Sequence, residues 1–367
     1  MTINEIDLGV TCDMHVHVRE GAMCELVTPT IREGGVSVAY IMPNLQPPVT
    51  TLDRVIKYKE TLQKLSPKTT FLMSFYLSKE LTPELINEAA KLGAIHGIKC
   101  YPAGVTTNSA AGVDPNDFTA FYPIFKAMEA NDLILNLHGE KPSVSNDSGS
   151  DGKGDIHVLN AESKFLPALA KLHNDFPNLK IVLEHCTTAE AIQTIENINK
   201  DIKDPSEIRV AATITAHHLH LIIDDWAGNP INFCKPVAKL PSDRRALVNA
   251  AISGKPYFFF GSDSAPHPLE NKSKHIGVSA GVFSQLFAID YVAEVFDQQH
   301  SLDKLKDFVS TFGLEFYGIN ENDLISNQKV KLIRKQHVVP QTITDGKGIT
   351  MAPFMAGHTL NWSTEWN

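Results

Sequence analysis

Two hydrophobic periods alternate along this chain. Short runs rich in β-branched and aromatic residues recur as VTCDMHVHV (10–18), VSVAYIMP (36–43), TTFLMSFYL (69–77), AIHGIKCYP (94–102), LILNLHGE (133–140), LKIVLEHC (179–186), IRVAATITAHH (208–218) and YFFFGSDSAP (257–266). Longer stretches with helical spacing lie between them, such as LDRVIKYKETLQKL (52–65), TPELINEAAKLG (82–93) and AESKFLPALAKLHNDF (161–176). Thr51, Thr82 and Asn160 stand where helix N-caps are expected. Strands that alternate with helices imply parallel pairing through crossovers. Eight such units predict an α/β fold, a (β/α)8 TIM barrel whose functional residues gather at the C-terminal ends of the strands. An open doubly wound sheet is the structural alternative, but no GxGxxG follows any of the runs. The apolar run at the start extends back to Ile6, and Ile6 to Met14 reads as one strand.

Two segments depart from the alternation. GEKPSVSNDSGSDGKGD (139–155) is rich in Ser, Gly and Asp and predicts a mobile insertion around 141–155. The closing segment 351–367 is too apolar for a free tail and is expected to pack against the barrel. There is no internal repeat, so residues 1–367 read as a single domain.

Composition narrows the function classes. The chain has 367 residues, 43% hydrophobic and 20% charged, with a formal net charge of -9. Such an acidic chain without a Lys/Arg cluster is a poor candidate for nucleic acid or an anionic membrane surface. No run of about 18 apolar residues is present to span a bilayer. MTINEIDLGV lacks the basic start and apolar core of a signal peptide, which points to a cytoplasmic protein. Cys12, Cys24, Cys100, Cys186 and Cys234 are dispersed without CxxC spacing, as expected of reduced thiols.

Chemistry-bearing residues cluster at the predicted strand ends. In CDMHVHVRE, His15, His17 and Arg19 fall at alternate positions and so share one face of a strand. Alone, that pattern fits a surface strand with two solvated histidines as well as it fits a site. The other strand ends add Asn44, Lys99 in an apolar setting, His138, Glu184, His185, His217, His218, Asp263 and His267. Glu184 alternates with His185 and is expected to face away from the barrel interior. A lone strand-end histidine is more often structural, but this many ionisable groups on one rim predict a site.

The donor set points to metals. Imidazole and carboxylate ligands without thiolates favour zinc or another borderline divalent ion. His15, His17, His138, His185 and Asp263 are too many for one open catalytic zinc, and suit two ions about 3.5–4 Å apart. A second anionic bridge is then needed, and Lys99 is the remaining candidate. A neutral lysine amine takes up carbon dioxide to become a carbamate, a bidentate oxygen ligand, and burial favours the neutral amine.

These stretches resemble a known family. DMHVHVRE, YIMPNLQPPVTT, IKCYPAGVTTNSAAGV, LNLHGE, LEHCTT, TITAHHL, FFFGSDSAPH, SAGVF and PFMAGHTLNWS occur in the order found in dihydroorotases of the amidohydrolase superfamily. The likeness is to the single-barrel class II type, monofunctional in fungi and bacteria, and covers essentially the whole chain. HxH by itself is weak; YPA-x-x-TTNS together with GSDSAPH is specific.

The resemblance implies reversible, zinc-dependent cyclisation of N-carbamoyl-L-aspartate to L-dihydroorotate in pyrimidine biosynthesis. It implies that His15, His17 and Asp263 hold one zinc and that His138 and His185 hold the other, bridged by a carbamylated Lys99. Arg19, Asn44 and His267 would grip the substrate carboxylate, for which a guanidinium fork is suited. Backbone groups near Lys235 and Ala280 would read the ring amide, and Thr106 and Thr107 match a mobile loop that closes over the substrate. Asp263 would carry the catalytic proton between the attacking water and the departing nitrogen. A homodimer is the family expectation.

Two departures stand out. Lys235 replaces an apolar residue common in bacterial members, and the insertion at 143–153 is longer than in compact relatives. The histidines of AHHLH (216–220) are not ligands in the family. Hydantoinases and dihydropyrimidinases share the metal scaffold, but their substrates lack the carboxylate that Arg19, Asn44 and His267 address. A non-catalytic homologue should have lost ligands, and none is missing here.

Overall fold

Helices with one apolar face cover sheets that are apolar on both faces. In the helix Leu52–Leu65, Val55, Tyr58 and Leu62 are buried, a helical repeat that lays one stripe on the sheet. Fully burying one aliphatic side chain of this kind contributes about 1.5–3 kcal/mol. Thr51 caps that helix by accepting the Arg54 N–H, and Thr82 caps Pro83–Lys91 by accepting the Leu85 N–H. Asn160 precedes the helix Ala161–Asp175 but does not cap it in this way. Its Oδ1 accepts the His157 N–H at 2.8 Å, and its amide donates to Asp155 O at 3.0 Å.

The structure is a computed structural model that describes residues 3–105, 109, 112–143, 155–273 and 277–367. Among them run β1 (Glu5–Gly9), β2 (Cys12–Val16), β3 (Val38–Ile41), β4 (Thr70–Leu72), β5 (Ser74–Tyr76), β6 (Gly97–Cys100) and β7 (Ile134–His138). They are followed by β8 (Lys180–Glu184), β9 (Val210–Ile214), β10 (Phe258–Phe260), β11 (Val330–Val338), β12 (Ile343–Thr344), β13 (Thr350–Met351) and β14 (Thr359–Trp366). Thr106, Thr107 and residues 144–154 of the expected insertion lie outside the described residues.

The fold is α/β with parallel sheets. One sheet has the order β2-β3-β4 and a second the order β10-β9-β8-β7-β6-β5, every neighbouring pair parallel. The faces alternate strictly along β3. Ala39 and Ile41 pack towards the helices, whereas Val38 and Tyr40 join Met14, Ile134, Val182 and Phe259 in a second apolar cluster on the opposite face. No helix among the described residues is long and apolar enough to cross a membrane. All five cysteines are free and buried.

Several expected boundaries move. The run Ile6 to Met14 is two strands, because the chain turns between Gly9 and Cys12. β1 leaves the parallel sheets and pairs antiparallel with β11, which also pairs with β14 to make a three-stranded sheet. Trp362 of β14 is completely buried. The third predicted strand is split at Met73 into β4 and β5. The seventh stops at Ile214, and Ala216–His220 is a short helix in which Thr215 caps the His218 N–H. A polar cap followed by AHHLH satisfies the first turn better than continued strand would.

Candidate metal and substrate site

One pocket gathers the chemistry. It is lined by His15, His17, Arg19, Asn44, Tyr101, His138, His185, Lys235, Asp263, Ala265, Ala280 and Gly281. His15 comes from β2 and His138 from the last position of β7, while His185 and Asp263 follow β8 and β10 directly or nearly so. Lys99 lies on β6, fully buried, with its ammonium 4.9 Å from the centre of the Tyr101 ring. His267 sits beside Arg19, with Nε2 3.2 Å from an Arg19 guanidinium nitrogen.

Three of these residues sit in left-handed backbone. Arg19 has φ 59°, His185 φ 41° and Asp263 φ 44°. For side chains with a Cβ, such conformations cost about 1–3 kcal/mol each and persist only where the surroundings hold them. Here they aim side chains that regular strand would turn elsewhere. β2 ends at Val16, so Arg19 reaches the pocket through a turn and not by strand alternation.

The same effect corrects the expectation for Glu184. Its side chain does not face away. It touches Lys99 Nζ and stands 3.2 Å from His15 Nδ1, on the same side as His185. Alternation fails because β8 ends at Glu184 and the next residue adopts positive φ.

The ring nitrogens divide into an outer and an inner set. On the outside, His17 Nδ1 faces Asn44 Oδ1 at 2.8 Å and His138 Nε2 faces Glu140 Oε2 at 2.9 Å, while His15 Nδ1 lies 3.2 Å from Glu184 without a hydrogen bond between them. An acceptor on one nitrogen keeps the hydrogen there and leaves the lone pair on the other. On the inside, Asp263 Oδ1 lies 3.2 Å from both His15 Nε2 and His17 Nε2, which are 3.3 Å apart. His138 Nδ1 and His185 Nε2 face each other at 3.1 Å. Tetrahedral donors about 2.0–2.1 Å from an ion stand roughly 3.3 Å from one another. The buried donors therefore fit a divalent metal in spacing and in chemistry.

Burial also sets the protonation states. It pulls His15 down to about 3, with Lys99 acting in the same direction, and lowers His17, His138 and His185 below the usual imidazole range. Neutral rings offer lone pairs. Burial pushes the Asp263 carboxyl up, but the facing His15 and His17 nitrogens outweigh it and hold it well below the ordinary carboxylate range. Lys99 is brought down to about 7 by burial, against the pull of Asp263.

Some residues here were not singled out from the sequence. Glu140 follows His138 by two positions, a spacing that could have marked it as that ring's partner. Tyr101 stacks between Tyr76 and His138, its ring centre 5.2 Å and 6.2 Å from theirs. A separate buried group, His217, His218 and Cys234, has metal-type atoms close together. It does not suit a cation: His218 faces Thr215 Oγ1 and Pro236 O at 2.9 Å each, and burial raises the Cys234 thiol to about 12.

Comparison with known proteins shows the family. No family model matches the chain. It is 70% identical over 364 residues, 99% of each chain, to the dihydroorotase of Saccharomyces cerevisiae. It is 49% identical over 354 residues, 96% of this chain and 97% of the other, to a probable dihydroorotase of Schizosaccharomyces pombe. The crystal structure of the Saccharomyces cerevisiae dihydroorotase in complex with 5-fluoroorotic acid superposes with a TM-score of 0.97 at 69% identity, covering 100% of this chain and 99% of that one.

Proposed function

Because the chain belongs to the dihydroorotase family of cyclic amide hydrolases, we propose that its pocket works with two zinc ions bridged by a carbamylated Lys99. The activity is the reversible cyclisation of N-carbamoyl-L-aspartate to L-dihydroorotate, a step of pyrimidine biosynthesis. The observation that carries the metal reading is the sorting of ring nitrogens, with the outer ones of His17 and His138 held by Asn44 and Glu140 and the inner ones converging.

The scaffold is read as an eight-stranded barrel. The His17 N–H donates to Ser264 O at 3.0 Å and the Asp263 N–H to His15 O at 2.8 Å, which supports closure of the first parallel strand on the last. Only Met73 separates β4 from β5, which supports one continuous wall there.

His15, His17 and Asp263 would hold one zinc and His138 and His185 the other, with Lys99 between them. Its burial favours the neutral amine that reacts with carbon dioxide, while the Glu184 carboxylate against Nζ favours the ammonium. Bound zinc supplies Lewis acidity that polarises a carbonyl and acidifies water. Arg19, Asn44 and His267 bind the substrate carboxylate, Arg19 through its planar fork. Main-chain groups of Lys235 and Ala280 orient the ring amide. In hydrolysis Asp263 Oδ1 takes the proton of the attacking water and passes it to the departing ring nitrogen. In cyclisation the steps reverse: as the ureido nitrogen bonds to the side-chain carboxyl carbon, Asp263 takes the nitrogen's proton and gives it to the hydroxyl oxygen, which leaves as water. The enzyme is read as a cytoplasmic homodimer.

The test is an ultraviolet assay of dihydroorotate hydrolysis together with metal analysis. Chelation should abolish turnover, and zinc or cobalt should restore it. Full turnover by a verified metal-free preparation would overturn the metal reading.

A further inference from the structure

Lys272 lies in the short helix Leu269–Ser273 and is only 5% exposed. Its ammonium is wrapped by main-chain carbonyls: Phe233 O at 2.8 Å, Ser279 O at 2.9 Å and Gly281 O at 2.7 Å. These carbonyls come from two separate segments that both reach the pocket, one leading to Lys235 and the other containing Ala280. The segments also bond directly, the Gly281 N–H donating to Phe233 O at 3.0 Å.

The direction of the carbonyls matters. Ser279 O and Gly281 O turn to Lys272, while Ala280 O between them turns the other way, 3.0 Å from His267 Nε2. Gripping the first and third carbonyls therefore fixes the peptide groups around the second. The segment is pressed close against its neighbours: a Cβ on Gly281 would stand 2.4 Å from Ala265 O and 2.9 Å from His267 Cδ2, and Gly281 has φ +151°. Only glycine allows that approach.

We propose that Lys272 is a positioning residue of this enzyme, whose ammonium ties residues 233–235 to residues 279–281 so that Lys235 and Ala280 present main-chain groups to the substrate's ring amide. Lys272 is outside the pocket lining and acts through the main chain. The assignment rests on the ring-amide reading given above.

Lys272→Met keeps the reach of the side chain and removes its charge. Losing a buried charge-assisted clamp should raise KM for dihydroorotate about ten- to hundredfold. Metal content should stay at the wild-type level and kcat within about threefold, because neither the zinc donors nor Asp263 is disturbed. Lys272→Arg should fall between the two, since a planar fork does not fit three carbonyls converging on one point. It decides the matter if the methionine variant does not fold. An unchanged KM in a folded, metal-loaded variant would overturn the proposal. So would a parallel fall in kcat, metal content and thermal midpoint, which marks a purely structural lysine. Crystals of the wild-type protein soaked with 5-fluoroorotic acid separate the two readings. A ring that does not meet the main chain of Lys235 and Ala280 sinks the ring-amide reading and this proposal with it. Contacts present alongside an unchanged variant KM sink the role of Lys272 alone.

Discussion

Glu184 Oε2 stands 3.2 Å from His15 Nδ1, on the side of the ring opposite the nitrogen that meets Asp263. The negative charge of a buried carboxylate so near the ring favours a cation at the opposite nitrogen. Glu184→Gln keeps the shape and removes the charge. Metal affinity should fall about 10–100-fold, as measured by competition with a chromogenic chelator. Wild-type affinity in the variant would reduce Glu184 to a packing residue.

Lys99 is fully buried between Glu184 and the Tyr101 ring. Lys99→Ala removes the proposed bridge and should lose the second metal with nearly all activity. Small carboxylic acids added in solution should restore part of it by supplying two oxygens in the vacated space. Elemental analysis and the hydrolysis assay read both effects. A high-resolution map of active, metal-loaded protein with an unmodified Lys99 amine would decide against the carbamate.

Arg19 donates through Nε to Pro266 O at 3.2 Å, which leaves the rest of its guanidinium beside His267. Lysine in its place cannot reproduce a planar fork. Arg19→Lys should weaken dihydroorotate binding about ten- to hundredfold, the equivalent of roughly 1.5–3 kcal/mol. Metal content should not change. Native affinity in this variant, measured by calorimetry, would remove Arg19 from carboxylate recognition.

Asp263→Asn retains a ligand-sized oxygen but cannot shuttle a proton. Turnover should drop by about 10²–10⁴-fold while at least one metal remains bound. Activity close to wild type would assign the proton transfer elsewhere.

Glu162 accepts the Thr187 N–H at 2.9 Å and lies two residues beyond Asn160, fully enclosed. Burial raises its carboxyl to about 7, although Lys239 pulls it down. A raised folded-state value means that the contribution is complete below the unfolded value of about 4.3 and is lost as pH rises through 7. Wild-type unfolding free energy should therefore fall between about pH 5 and 8 by up to roughly 3 kcal/mol more than that of Glu162→Gln. Parallel pH profiles for the two proteins, from urea melts, would contradict the buried-carboxyl account.

Local spacing made much of the site readable. His15 lies on β2, His17 follows its last residue by one, and His138 closes β7, so period two came close to their aim. Glu184 was misdirected because positive φ at His185 leaves no mark in residue type. Lys272 sits in LENKSKH, which reads as a solvated turn, and its partners are carbonyls that every residue carries. Long-range pairing was equally hidden. β1 has the composition of a first barrel strand, yet its partner β11 lies at the far end of the chain.

That pairing has a consequence for how the molecule is made. Glu5 meets Ile333, and Val330 meets Trp366, so during synthesis β1 waits for more than three hundred further residues before its neighbour exists. At about 5–20 residues per second the wait is on the order of tens of seconds. During synthesis β1 is an unclaimed edge, and its docking is a late, slow event of high contact order. β2, which carries His15, does not share this delay, because its neighbour β3 follows within about thirty residues. A frayed β14 would bare the far edge of β11, opposite the edge that β1 occupies, and leave the middle strand of this sheet with one partner in place of two.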